Sequence, residues 1–122
     1  MCDKTIRLVL VAGGTASGQE AWALEHFPKA RILRDYHLRI REQMDAGQDP
    51  MEEARALTEE NRIPLVILTD ETGCGVVPVD PRERALREMT GRVHCFLASR
   101  ADLVVHTVCG IGEVIKDVRR EG

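Results

Sequence analysis

Residues 6–12 read Ile-Arg-Leu-Val-Leu-Val-Ala, a nearly unbroken aliphatic and β-branched run that stops at Gly13-Gly14. A run of this kind predicts a strand covered on both faces, as in a parallel sheet. Gly18 to Phe27 then reads as a helix with Ala21, Leu24 and Trp22 facing inward and Pro28 closing it. Strand, glycine turn and helix together restrict the chain to the α/β class.

The turn itself, Gly13-Gly14-Thr15-Ala16-Ser17-Gly18-Gln19-Glu20, has the outline of a phosphate loop, G-x-x-x-x-G-K-[ST]. Its backbone N–H groups suit an anion. The two working side chains are missing, because Gln19 stands at the lysine place and Glu20 at the hydroxyl place. Gly13, Gly14, Thr15, Ala16, Ser17, Gly18, Gln19 and Glu20 are therefore the candidate nucleotide- or phosphate-binding residues.

Further along, Ile32-Leu33 fits a short strand. Leu33, Tyr36 or His37, Ile40 and Met44 recur at helical spacing and predict a helix from about Arg34 to Ala46, ended by Gly47. Asp49-Pro50-Met51-Glu52 predicts a second helix: Asp as N-cap, Pro at the first position and Glu reaching back. That helix turns Met51, Ala54 and Leu57 inward and ends near Asn61. Leu65–Thr69 is another buried strand, running into the glycine-rich loop 70–78. Asp80-Pro81-Arg82-Glu83 repeats the helix start, and Leu86, Met89, Val93, Phe96 and Leu97 form the stripe of a long helix. Leu103–Val108 is a third strand, Val114-Ile115-Lys116 a short final one, and Arg119 to Gly122 a frayed end. In a parallel sheet ligands lie at the carboxyl ends of strands, which is where loops 13–18 and 70–78 fall.

Composition narrows the function. The chain has 122 residues, the size of one domain, and only 3% aromatic residues, so its core is aliphatic. A formal net charge of −3 with dispersed arginines provides no field for nucleic acid or anionic lipid. Cys2, Cys74, Cys95 and Cys109 form no C-x-x-C pair, which fits free thiols rather than disulfides or a metal site. The polar start and the short apolar runs predict a soluble, cytoplasmic protein without a membrane span.

The stretch Thr69-Asp70-Glu71-Thr72-Gly73-Cys74-Gly75-Val76-Val77-Pro78 resembles the bifunctional adenosylcobinamide kinase/adenosylcobinamide-phosphate guanylyltransferase family, which carries T-N-E-V-G-x-G-[IV]-V-P there. The likeness continues through Arg84, Arg87, Gly91-Arg92-Val93, Leu97-Ala98, Ala101-Asp102 and Cys109-Gly110-Ile111-Gly112 to Lys116. At the start, Gly13-Gly14-Thr15-Ala16-Ser17-Gly18 matches the family's G-G-x-x-S-G. The resemblance implies a three-layer, RecA-like P-loop NTPase fold with a mostly parallel sheet, reduced in size. It also implies ATP or GTP with Mg²⁺ as ligands, a corrinoid substrate and a homo-oligomer.

Departures from the family bear on activity. Gln19 and Glu20 replace the loop lysine and hydroxyl. In Arg39-Ile40-Arg41-Glu42-Gln43, Gln43 takes the place of the guanylyl-acceptor histidine and Gly47 that of a following arginine. The chain is also shorter than its relatives before Leu65. Electrostatic groups of this kind contribute about 3–4 kcal/mol each to transition-state stabilisation. Losing them predicts a pseudoenzyme that retains nucleotide or anion binding. Two other readings stand beside it, an active phosphotransferase and a ligand-free interaction module with Glu20 filling the anion site. For the active enzyme, Glu71 is the candidate catalytic residue, holding Mg²⁺ directly or through water. The structural alternative has Glu71 fixing its own loop. Arg84, with Arg87, either restores positive charge at the nucleotide or pairs with Glu83 and Glu88. His37 is the nearest substitute for the lost acceptor, though a packed helix histidine fits it better. His26 suits a helix end, while His94 and His106 show no partner in the sequence.

Overall fold

The computed structural model of the chain describes residues 6–13, 18–59, 64–70 and 80–120. Among these, five strands form one sheet in the order β2-β3-β1-β4-β5. They are β1 (Leu8–Gly13), β2 (Arg31–Leu33), β3 (Leu65–Asp70), β4 (Leu103–Val108) and β5 (Ile111–Asp117). The first four run parallel, and β5 returns antiparallel along β4. The fold is α/β with a mostly parallel sheet.

Alternate residues of the strands face opposite sides, and each side has its own cover. Leu8, Leu10, Leu65 and Ile67 meet Tyr36 and Ile40 of α2 (Tyr36–Asp45), Ala54 of α3 (Pro50–Glu59) and Val93 and Leu97 of α4 (Pro81–Arg100). Val9, Val11, Val66, Leu68, Leu103 and Val105 meet Ala23 of α1 (Gln19–His26), with Trp22 and Phe27 packed alongside. Helices thus cover both faces, which is why β1 and β3 are aliphatic almost throughout. No helix of the described residues is long and apolar enough to cross a membrane.

Local chemistry sets the helix starts. Asp49 Oδ1 accepts the Met51 N–H at 3.0 Å ahead of α3, and Asp80 Oδ1 accepts the Arg82 N–H at 2.9 Å ahead of α4. The reciprocal reach of the third-position glutamates is not made. Glu83 instead takes two bonds from Arg41 of α2, at 3.0 and 3.1 Å. Gly47 ends α2 in the left-handed region, φ +73°.

Four expectations need correction. In α1 the buried residue is Ala23, whereas Ala21 is exposed and Leu24 is 48% exposed. The helix leaves Gly18 in a left-handed conformation, φ 89°, and this turns Gln19, Ala23 and Phe27 toward the sheet. The final strand is longer than 114–116, and the helix after Leu33 begins at Tyr36 because β2 occupies 31–33. Beyond β5 the chain does not fray at Arg119: residues Val118–Arg120 form a 3-10 turn, and the Arg119 guanidinium clasps Asp117.

Topology selects one crevice. β1 and β3 are neighbours, yet β1 leads through α1 to β2 on one side and β3 leads to β4 on the other, past β1. Adjacent strands whose connections diverge leave a gap at their carboxyl ends, where α/β proteins bind ligands. That gap opens between Gly13 and Asp70, which are partners in the ladder.

Candidate functional site

Gly13 closes β1 and Gly18 stands immediately before α1. Gly18 serves as N-cap without a side-chain bond, and the Trp22 N–H returns to its carbonyl at 3.0 Å. A methyl group at Gly18 would lie 2.8 Å from the Gly110 Cα in the β4–β5 hairpin. The hairpin turn, Cys109-Gly110, has φ values of 50° and 78°, suited to a two-residue turn. Gly112 packs under the Trp22 indole, which stacks on His26 with centroids 4.3 Å apart. The end of the glycine turn is thus walled by the last hairpin. Gly14, Thr15, Ala16 and Ser17 lie outside the described residues.

Gln19 occupies the gap between the two strand ends. Its Nε2 donates to Thr69 O at 2.7 Å and to Gly13 O at 3.1 Å, tying β1 to β3 at their carboxyl edge. A glutamine carboxamide has two N–H donors, and both point at these carbonyls. Glu20 turns away to an ion pair with Arg34, both side chains about half exposed (51% and 52%).

The same edge gathers residues whose proximity sequence reasoning missed. Thr69 Oγ1 lies 2.8 Å from His94 Nε2 of α4, so His94 does have a partner. The Asp70 N–H donates to His37 Nδ1 at 3.1 Å, fastening the first turn of α2 to the end of β3. His106 lies level with Ala12 and Thr69 in the ladder. These contacts join residues 25 and 33 positions apart, and no local pattern announces them. His26 caps its own helix, Nδ1 against Trp22 O at 2.9 Å.

Arg84 is exposed in the first turn of α4, and its neighbour Glu83 is held by Arg41. Glu71 and the glycine-rich loop through Pro78, with Cys74, are outside the described residues. Cys95 and Cys109 are free, exposed thiols. Among the described residues no group of three or more His, Cys, Asp or Glu is placed to hold a metal.

Gln43 is 8% exposed and donates through Nε2 to Glu53 of α3, which also pairs with Arg39. Tyr36 lies on the same face, fully buried. Burial raises its phenol above the ordinary range, the Glu53 charge raises it further, and Arg39 opposes both. The acceptor position of the resemblance is therefore a helix–helix contact here.

A family model described as cobinamide kinase / cobinamide phosphate guanyltransferase matches residues 29–115. The chain belongs to this family. The family stands in cobalamin biosynthesis, and the resemblance seen at 69–78 lies inside the matched region, whereas the glycine turn precedes it. Among known proteins, the bifunctional adenosylcobalamin biosynthesis protein CobU of Salmonella typhimurium (strain LT2) is 44% identical over 52 residues. That stretch covers 43% of this chain and 29% of the Salmonella protein, so under a third of that relative's length is matched.

Proposed function

We propose that this cobinamide kinase/guanyltransferase family member binds a nucleotide or a related anion and has lost both guanylyl transfer and kinase turnover. The observation that carries the reading is the Gln19 side chain. Where a phosphate loop needs a cation, this carboxamide is neutral and holds its N–H groups against Gly13 O and Thr69 O. Phosphoryl transfer depends on neutralising charge around a positioned phosphoryl group, and Gln19 supplies none. Glu20, paired with Arg34, offers no hydroxyl for Mg²⁺. The described residues at these two positions do not fit a magnesium nucleotide. An anion would rely on backbone N–H groups and the start of α1.

Gln43 supports the same conclusion for the second activity. A carboxamide nitrogen is not a nucleophile of the kind that carries a covalent intermediate, and this one is buried against Glu53. The reading includes a three-layer RecA-like core, a corrinoid-related role and a homo-oligomer, which the resemblance carries, and a cytoplasmic setting, which the polar start and short apolar runs carry.

The test is titration with ATP and GTP, each with and without Mg²⁺, followed by fluorescence of Trp22, the single tryptophan. Binding that Mg²⁺ does not strengthen is the expected result. Mg²⁺-dependent binding with phosphorylation of cobinamide by the unmodified chain would overturn the reading. Restoring the missing groups with Gln19→Lys and Glu20→Ser should tighten ATP binding roughly tenfold or more, the worth of a charge-assisted hydrogen bond.

A further inference from the structure

We infer that the contact between α2 and α3 is a binding site for one internal water molecule, which accepts the phenol proton of Tyr36 and donates to the Gln43 carboxamide oxygen beside Glu53. The inference does not depend on the anion-binding reading. It concerns the position where the resemblance puts the guanylyl acceptor.

Two buried atoms carry it. Tyr36 is fully buried and Gln43 is 8% exposed, yet Tyr36 Oη and Gln43 Oε1 have no hydrogen-bond partner among the described residues. Leaving a buried polar atom unpaired costs more than an ordinary hydrogen bond gains, and ordered water is a common way of satisfying such atoms. The orientation of the carboxamide is fixed by its other end. Gln43 Nε2 donates to Glu53 Oε2, and an ionised carboxylate only accepts. Turning the group over would set oxygen against oxygen and orphan the nitrogen instead.

Glu53 marks the place where the two atoms meet. Tyr36 and Gln43 lie seven residues apart on α2, two turns along one helix face. The carboxamide touches the Glu53 carboxylate directly. The Tyr36 phenol, raised first by burial, is raised further by the charge of that same carboxylate. The Glu53 side chain is 23% exposed, so this seam reaches solvent on one side.

The chemistry of the two atoms selects the occupant. The phenol O–H needs an acceptor and the amide oxygen needs a donor. Water is the smallest molecule that supplies both, and its second proton is free to face Glu53. A metal cation fits worse, because Arg39 already pairs with Glu53 and a second positive charge beside the guanidinium is repelled. An anion would meet the carboxylate and the amide oxygen.

Oxygen-17 relaxation dispersion of solvent water counts the long-lived waters of a protein in solution. The unmodified chain should hold one more than Tyr36→Phe, and one more than Gln43→Met. No difference for either variant overturns the shared site. Tyr36→Phe removes the phenol oxygen and keeps the ring that packs in the core. Its urea midpoint should fall, with the folding constant lowered roughly fivefold, the worth of one ordinary hydrogen bond. A midpoint that rises or stays in place means that the oxygen is dry, since deleting an unsatisfied hydroxyl relieves a cost, and this overturns the proposal. The double variant should lose less than the sum of the two single losses, and strict additivity would also overturn it. Exchanging choline chloride for potassium chloride at equal ionic strength should leave the midpoint unchanged. Stabilisation specific to potassium would identify a cation in the seam and refute the water.

Discussion

Alanine at Gly18 tests the geometry of the turn through two separable costs. The backbone there has φ +89°, and a methyl group would stand 2.8 Å from the Gly110 Cα. Left-handed backbone costs an L-residue about 1–2 kcal/mol. Overpacking against an atom that cannot swing aside adds about 1–3 kcal/mol. Gly47 separates the two, since its φ is +73° but nothing lies within 4 Å of an added methyl. Gly91 supplies the opposite sign: it is exposed within α4, and a methyl there meets nothing within 4 Å. Urea unfolding of the three alanine variants should place Gly91→Ala about 0.5–1 kcal/mol above the parent. Gly47→Ala should fall about 1–2 kcal/mol below it, and Gly18→Ala about 2–5 kcal/mol below. Total stabilities of about 5–15 kcal/mol make these differences measurable. If Gly18→Ala costs no more than Gly47→Ala, the hairpin does not press on the turn, and the account of the cradle wall is wrong.

Tyr36 is the single tyrosine, so its ionisation can be followed by absorbance. Because its folded value is raised, the stability it contributes is full below the unfolded value of about 10 and is lost as pH climbs past it. The folded protein should show no phenolate band at about pH 10; appearance of that band before unfolding would contradict the burial. Glu53→Gln removes a charge that raises this phenol, and the same titration should shift downward. Asp80→Ala removes the acceptor of the Arg82 N–H and should lower stability by about 0.5–2 kcal/mol in urea unfolding. An unchanged midpoint would mean that α4 does not depend on this cap.

Strands β1, β3 and β4 could be read directly because helices on both faces leave no reason for polar residues at Val9, Leu10 or Ile67. The last strand was underestimated for the converse reason. It lies at the edge with Ile111 and Ile115 exposed (71% and 62%), so neither alternation nor an apolar run marks its ends. The inward face of α1 was misjudged because eight residues give little periodicity, and the backbone at Gly18 sets the rotation. At the site, the glycine turn and the changed residues Gln19 and Gln43 were visible from sequence alone. What those glutamines bond to was not, since Thr69 is 50 residues from Gln19. Only the ladder of β1 with β3 brings such partners together.

The ladder between β4 and β5 shifts register between Val104 and Val105, leaving Ile115 without an opposite number. A regular border carrying Ile111, Val114 and Ile115 would be a ready template for further chains to add to the sheet. An extra residue kinks such a border and increases its twist. The irregularity is in this sense a solubility device, and a variant with Ile115 deleted would present a straighter, stickier margin to its neighbours.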